Sequence, residues 1–363
     1  MRLVVFGLTV SSSWGNGHAT LWRGLIRELG HRGWHTTFYE QDVPYYRDTR
    51  DQGWLDGGEL VLYPDWAEVA ERARREVAEA DVALVTSYCP DGPAASRLVW
   101  DAGRGAKLFY DLDTPVTLSQ LRRGEAVSYL PAEGLGAFDL VLSYTGGRAL
   151  GELQSMLGAR RTAPLYGHAD PWKHVQGTPR PEFRADLSYI GTYAADRQRA
   201  LEELLVEPAR RRPEQRFVIA GAQYPQEFPW TENIHFVRHL PPSLHPDFYA
   251  SSRLTLNVTR RDMAECGWCP SGRLFEAASC GAALITDTWP GLESFFTPGE
   301  ELLAAASTED ALAALELGDG ELAAMAQRGR ERVLAQHSSA HRAAEFEALV
   351  MSVVSAAPLP QGA

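Results

Sequence analysis

Cysteine is scarce in this 363-residue sequence: four residues, at 89, 266, 269 and 280. That is too few for a disulfide framework, so a reducing compartment, the cytoplasm, is expected. Long apolar runs are also missing. No stretch approaches the roughly 20 residues a membrane helix needs, so no stable membrane insertion is expected. The opening "MRLVVFGLTV" has the apolar character of a leader but lacks a small-residue cleavage pattern and flows into an amphipathic stretch. Positive charge is in deficit. A formal net charge of −12 argues against a nucleic-acid partner or an anionic membrane surface, because such binding rests on Lys and Arg neutralising phosphates. The basic stretch "ARRRPEQR" (209–216) is short and mixed with Pro and Glu, and reads as a solvated turn.

What is present is enough apolar content, 45%, for real cores, and enough length for two domains. Short β-rich runs at 2–8, 36–40, 59–63, 81–87, 106–112 and 139–144 read as strands. Amphipathic stretches lie between several of them. In 18–32, Leu21, Trp22, Leu25, Ile26 and Leu29 recur at helical spacing and Gly33 is a stop. A Pro/Gly-rich stretch, "PLYGHADPWKHVQGTPRPEFRAD" (164–186), suits a connection. The alternation then restarts, with strands at 187–193, 216–222, 234–237, 253–258 and 282–287 and helices near 194–205, 241–252 and 271–280.

The expected architecture is therefore α/β: two facing Rossmann-like, doubly wound domains with an interdomain cleft. The divisions are a first domain at 1–165, a linker at 166–186, a second domain at 187–337, a C-terminal helix at 338–356 and a tail at 357–363. In open parallel sheets ligands sit beyond the carboxyl ends of strands, so residues just after each strand are the site candidates.

The stretch "ECGWCPSGRLFEAASCG" (265–281) holds a Cys-x-x-Cys pair. Structural zinc wants four ligands, and no His pair is spaced to complete the set, so no metal is assigned. Cysteines before a helix N-terminus can be activated, but a thioredoxin-like pair follows the first strand of a small fold. The rest points to an anion site. Pro270 and Ser271 are helix-start signals, with Ser271 a candidate cap. Gly272 allows close approach to the backbone, and a helix start offers free N–H groups and partial positive charge. Arg273 adds a fork of donors for phosphate oxygens. Glu276, one turn in, can accept from two neighbouring hydroxyls, as on a ribose.

Other post-strand residues fill out the candidate set. "IGTYAADRQ" puts Gly191, Thr192 and Tyr193 at a strand end and Arg197 in the next helix, where it would meet a phosphate. Asn257 and Arg260 follow another strand, and Gly291 and Leu292 in "TWPGLE" supply N–H groups past the last. In the first half, "WGNGHAT" (14–20) superficially outlines a dinucleotide loop, with Glu40 ending the second strand. The separation of strand from glycines weakens that reading. Asn16, Gly17 and His18 are placed instead beside a ligand at the start of the 18–32 helix, with His18 able to take a proton from a ligand hydroxyl or hydrogen-bond one. Asp111 and Asp113 in "FYDLDTP" are candidates for holding acceptor hydroxyls or serving as base, and Asp113 alternatively caps the helix near Thr114. Thr145 and Gly146 in "SYTGG" extend the acceptor side.

"PSGRLFEAASCGAALITDTWPGLESFFTPGEELL" resembles the donor-binding segment of GT-B glycosyltransferases and looks closest to the CgeB-like (spore maturation protein) group. "SSSWGNGHATLWRGLIRELGHRGWHTTFYEQDVPYY", "YDLDTPVTL", "YIGTYAADRQ" and "TLNVTR" are similar to that group as well. The resemblance implies GT-B architecture and a cytoplasmic enzyme transferring a sugar from a nucleotide-sugar donor. The diphosphate would lie near Gly191, Thr192, Arg197 and the 271–273 mouth, with Glu276 on the ribose. It implies no metal and no cofactor beyond the sugar nucleotide, since helix dipole and arginine replace the cation. The acceptor, a small molecule, glycan or protein, is undefined. One departure stands out: many retaining members carry a second Glu eight positions before the ribose one, where this chain has Trp268. Alternatives are a GT-B nucleotide-sugar epimerase, an NAD(P)-dependent oxidoreductase using Gly15 and Gly17, and a non-catalytic sugar-nucleotide binder.

Overall fold

The structure, a computed structural model, describes residues 1–15 and 17–354. Asn16 and the 357–363 tail therefore lie outside the described residues. The chain divides into two compact units: Met1–Tyr166 together with the chain from Ser339 onward, and Gly167–Ser338.

The first unit holds a seven-stranded sheet made of β1 (Arg2–Gly7), β2 (His35–Gln41), β3 (Gly58–Tyr63), β4 (Val82–Thr86), β5 (Ala106–Asp111), β6 (Leu140–Ser143) and β7 (Thr162–Pro164). Its order is β3-β2-β1-β4-β5-β6-β7, all parallel. Central strands such as "VALVT" are buried on both faces, which is why they read as continuous apolar runs. The second unit repeats the plan with β8 (Ala185–Ile190), β9 (Phe217–Gly221), β10 (Ile234–Arg238), β11 (Ser252–Asn257), β12 (Leu284–Asp287) and β13 (Leu303–Ala305), ordered β10-β9-β8-β11-β12-β13. Each sheet reverses its winding beside its first strand, between β1 and β4 and between β8 and β11. Ligands of doubly wound sheets bind at such points.

Four helices carry or support the candidate residues: α1 (Gly17–His31), α2 (Thr114–Arg122), α3 (Gly272–Ser279) and α4 (Ser339–Val354). Trp22, Leu25, Ile26 and Leu29 of α1 pack into the first core, as their spacing predicts. So do Phe346, Val350 and Val353 of α4. The Trp34 indole lies 5.7 Å from the Phe346 ring, and its N–H donates to Glu347 at 2.9 Å.

Two differences from the sequence expectation concern boundaries. The 166–186 stretch is not a separate linker, because from Gly167 it belongs to the second unit. Its backbone is tied there: the Ala169 N–H donates to His337 at 2.9 Å and the Thr178 N–H to the Asp247 carboxylate at 2.9 Å. Pro and Gly remove periodicity without removing hydrogen-bonding capacity, so composition alone misreads such a segment. The C-terminal helix, expected to follow the second domain as an appendage, belongs to the first unit.

Candidate functional site

Two polar clusters stand at the reversal points, one in each unit. In the first, the β1–α1 loop is fixed from below. Glu40, fully buried at the end of β2, accepts from the Thr9 hydroxyl (2.9 Å), the Val10 N–H (2.7 Å), and the Ser11 N–H (2.9 Å) and hydroxyl (2.5 Å). Its oxygens are occupied by this loop, so the dinucleotide outline, in which that acid would hold a ribose, loses its key residue.

The loop delivers His18 to the first turn of α1. Its Nε2 stands 3.7 Å from an Asp113 carboxylate oxygen, with both side chains largely shielded from water. Asp113 occupies the N-cap position of α2, but its carboxylate makes no capping bond. Tyr88 borders the histidine ring at 5.9 Å and packs at a tilt against Tyr129 at 4.9 Å. Tyr88 adopts φ 61°, rare for a bulky residue. Sequence spacing gave no sign of either tyrosine; only the position of Tyr88 just past β4, at the reversal point, marks it.

Asp111 is wholly buried. One oxygen accepts the Asp113 N–H at 3.1 Å, and the other has no partner among the described residues. Burial raises its pKa from 3.8 to about 6, against the lowering influence of the Thr117 hydroxyl and the Asp113 N–H. Between those two values the folded protein holds a proton that the unfolded chain has released. Stability from this group therefore falls as pH rises through that window, by about 3 kcal/mol in total. Asp111→Asn is expected to remove the decline: its stability relative to the wild type should grow by about that amount from pH 4 to pH 7. Urea unfolding of both proteins across that range measures the difference, and a flat difference contradicts the assignment. The two aspartates of "DLD" thus face different partners. Thr145 and Gly146 are buried past β6, and Thr145 is engaged in a turn with the Ser143 hydroxyl, which also bonds Thr114 at 2.7 Å.

The second cluster is cationic. Past β8, the Thr192 carbonyl accepts from Arg197 Nη1 at 3.2 Å, while the Tyr193 N–H donates to Ala222 at 2.9 Å. Gly191 accepts from the Tyr224 hydroxyl at 3.2 Å, and a side chain there would strike the Tyr189 hydroxyl at 2.7 Å. Burial lowers the Arg197 pKa, and the positive charges of Arg273 and Arg260 push it the same way. Arg260 has a counter-charge, Asp196, at 3.1 Å. Arg197 Nε and Arg273 Nη1 are buried with no partner among the described residues. The Tyr189 hydroxyl is in the same state, on a side chain with no exposed surface. Asn257 is buried and its Nδ2 donates to Thr286 at 3.0 Å, while its Oδ1 has no partner among the described residues.

The mouth of α3 completes this cluster. Ser271 is its N-cap residue, but the hydroxyl makes no capping bond, so the cap expected from sequence is present by position only. The Leu274 N–H returns to the Ser271 carbonyl at 3.0 Å, and the amides ahead of it are the helix's unsatisfied donors. Glu276 is half-buried and makes no hydrogen bond or ion pair through its carboxylate among the described residues. Its charge is felt by His245 and Tyr249, two neighbours that sequence spacing did not single out. Gly291, at φ 90°, precedes Leu292 and has its backbone against the Trp268 indole. All four cysteines are buried and none is in a disulfide, and burial pushes Cys89 and Cys280 up to about 12. Those two are inert as nucleophiles at neutral pH.

The whole chain is similar to solved structures of GT-B proteins. Sucrose-phosphate synthase from Thermosynechococcus elongatus matches with TM-score 0.68 at 15% identity, over 98% of this chain and 100% of that one. Anabaena HepE in complex with UDP-glucose matches with TM-score 0.64 at 10% identity, over 97% of this chain and 100% of that one. The T4 phage BGT with its UDP-glucose substrate matches with TM-score 0.62 at 11% identity, over 98% and 99%. The chain therefore has the GT-B fold, as the sequence resemblance implies. Within it, residues 197–348 match the family model described as "Glycosyl transferase-like", a span that begins at Arg197 and includes α3. No curated protein matches the sequence. Among the described residues no helix is long and apolar enough to cross a membrane.

Proposed function

We propose that the protein is a glycosyltransferase that moves a hexosyl group from a nucleoside-diphosphate-sugar donor to an acceptor hydroxyl, in the CgeB-like group and without a metal. The observation that carries this reading is the pair Arg197 and Arg273, each with a buried, unpartnered N–H beside the open end of α3. Two mutually repelling guanidinium groups next to unsatisfied amides make a site that only an anion balances. A diphosphate there would find its leaving-group charge already countered, with no cation needed. Glu276 then takes the ribose hydroxyls. In the first unit, His18 serves as acceptor base, and the Asp113 carboxylate stabilises the imidazolium it becomes. Cysteines held outside any disulfide fit a cytoplasmic setting.

Saturation-transfer NMR tests the reading with UDP-glucose, GDP-mannose, dTDP-glucose and NAD. One sugar nucleotide is expected to bind and NAD is not. UDP-glucose is the first probe because HepE and the T4 phage enzyme were solved with it. Turnover is expected to persist in EDTA. Binding of NAD alone sinks the reading, manganese-restored activity sinks its metal-free part, and acceptor-independent epimerisation of the donor replaces transfer.

A further inference from the structure

The loops past β1 and β2 carry large aromatic side chains that no core covers. Trp14 is 41% exposed, Tyr45 57% and Trp54 63%. Tyr45 stands in the one-turn helix Pro44–Arg47, and Trp54 lies in the stretch that leads to β3. Both segments are tied to the β1–α1 loop. The Asp51 and Gln52 N–H groups each donate to the Ser11 carbonyl at 3.1 Å, and the Ser12 hydroxyl donates to the Thr49 carbonyl at 3.0 Å. The Thr49 hydroxyl donates to the Tyr45 carbonyl at 2.8 Å, and the Gln52 amide to the Trp54 carbonyl at 2.8 Å. Ser11 is itself held by the buried Glu40 carboxylate, so the frame beneath the rings is fixed while the rings face water. A Cβ added to Gly15 would stand 3.7 Å from the Tyr45 hydroxyl, which puts that ring beside the entry to α1, close in sequence to His18.

Exposed rings gathered on a fixed frame mark a binding surface. The groups between them say what binds. Between Tyr45 and Trp54 the chain presents Arg47, Asp48, Arg50, Asp51 and Gln52, and both Arg47 and Arg50 donate to Asp42. A protein interface is depleted of charge at its centre and keeps it for the rim, whereas here charged and amide groups fall between the rings. An apolar small molecule calls for a concave pocket, and these rings stand open on loops. Flat rings interleaved with planar hydrogen-bonding groups match a pyranose, which has C–H faces and a rim of hydroxyls. We propose that this surface binds an oligosaccharide, its sugar rings lying on Trp14, Tyr45 and Trp54. The Tyr45 hydroxyl and the Trp54 indole N–H make no hydrogen bond among the described residues, so both are open to sugar hydroxyls. The binding surface stands without the donor reading. Its use as the acceptor site rests on that reading: the sugar on Tyr45 is then the one nearest His18, and the acceptor is a glycan.

Titration calorimetry with cellohexaose, maltohexaose and chitohexaose tests the surface, with UDP-glucose and 4-nitrophenol as comparison ligands. Wild type, Tyr45→Ala, Tyr45→Phe and Trp54→Ala are measured, with thermal melts to confirm folding. At least one hexasaccharide is expected to bind the wild type. Tyr45→Ala and Trp54→Ala are each expected to weaken it about fivefold to tenfold and to leave UDP-glucose within about twofold. Tyr45→Phe, which keeps a flat ring, is expected to retain most of the affinity. A wild type that binds none of the three glycans, or binds 4-nitrophenol more tightly than all of them, overturns the inference and leaves the donor site standing. So does glycan affinity unchanged in both alanine variants. Self-association that Trp54→Ala abolishes, seen by sedimentation velocity in place of glycan binding, overturns it in favour of a protein contact. Glycan binding without UDP-glucose binding upholds the surface and sinks the donor reading.

Discussion

Arg273→Ala is expected to weaken diphosphate binding about tenfold to a hundredfold and to lower kcat about 10²- to 10³-fold. The first figure is the loss of one charge-assisted hydrogen bond. The second is the loss of a preorganised donor where leaving-group charge develops. Arg273→Lys keeps the charge but not the planar fork, so it is expected to recover part of the affinity and little of the rate. The ligand-free variant gives a second, opposite readout. Arg273 repels Arg197 and leaves a buried N–H without a partner. Removing it takes away a cost that the empty protein bears, so the melting temperature without ligand is expected to hold or rise. The stabilisation that the wild type gains on adding diphosphate is expected to shrink in step with affinity. A variant that melts lower and still binds would show that Arg273 has a structural role.

His18→Ala is expected to lower kcat about 10²- to 10⁴-fold and to leave the donor dissociation constant within about twofold. The imidazole stands on the first turn of α1, 3.7 Å from Asp113. That separation is too long for a hydrogen bond and short enough to tighten when the ring gains a proton. Release of nucleoside diphosphate, followed by NMR with an acceptor that supports wild-type turnover, gives the rate; calorimetry gives the affinity. A parallel loss of donor binding would move His18 from the base to the donor contacts.

Strand positions were legible because parallel strands buried on both faces read as apolar runs between turn residues. The eleven expected strands all appear, with ends shifted by at most three residues. The two that were missed, "TAP" at 162–164 and "LAA" at 303–305, are three residues long and lie at sheet edges, too short to show a period. The mouth of α3 was readable from Pro270-Ser271-Gly272-Arg273, because helix starts have local chemistry. Tyr88, Tyr189, Tyr249 and His245 were not readable, since they join their clusters through the winding of each sheet. Glu40 could be set aside as a ribose ligand only through the spacing of the glycines, not from the residue itself. A carboxylate at the end of a second strand looks the same in sequence whether it faces a ribose or the chain's own loop.

The seating of α4 has a consequence for the order in which this protein matures on the ribosome. Residues 167–338 form one unbroken run and hold everything their core requires once they have emerged. The amino-terminal half emerges earlier yet lacks Phe346, Val350 and Val353 until the chain beyond Ser338 has been made. Its Trp34 ring lacks that cover through the interval, so this half, made first, is completed after residues 167–338, and it is the half a chaperone would hold.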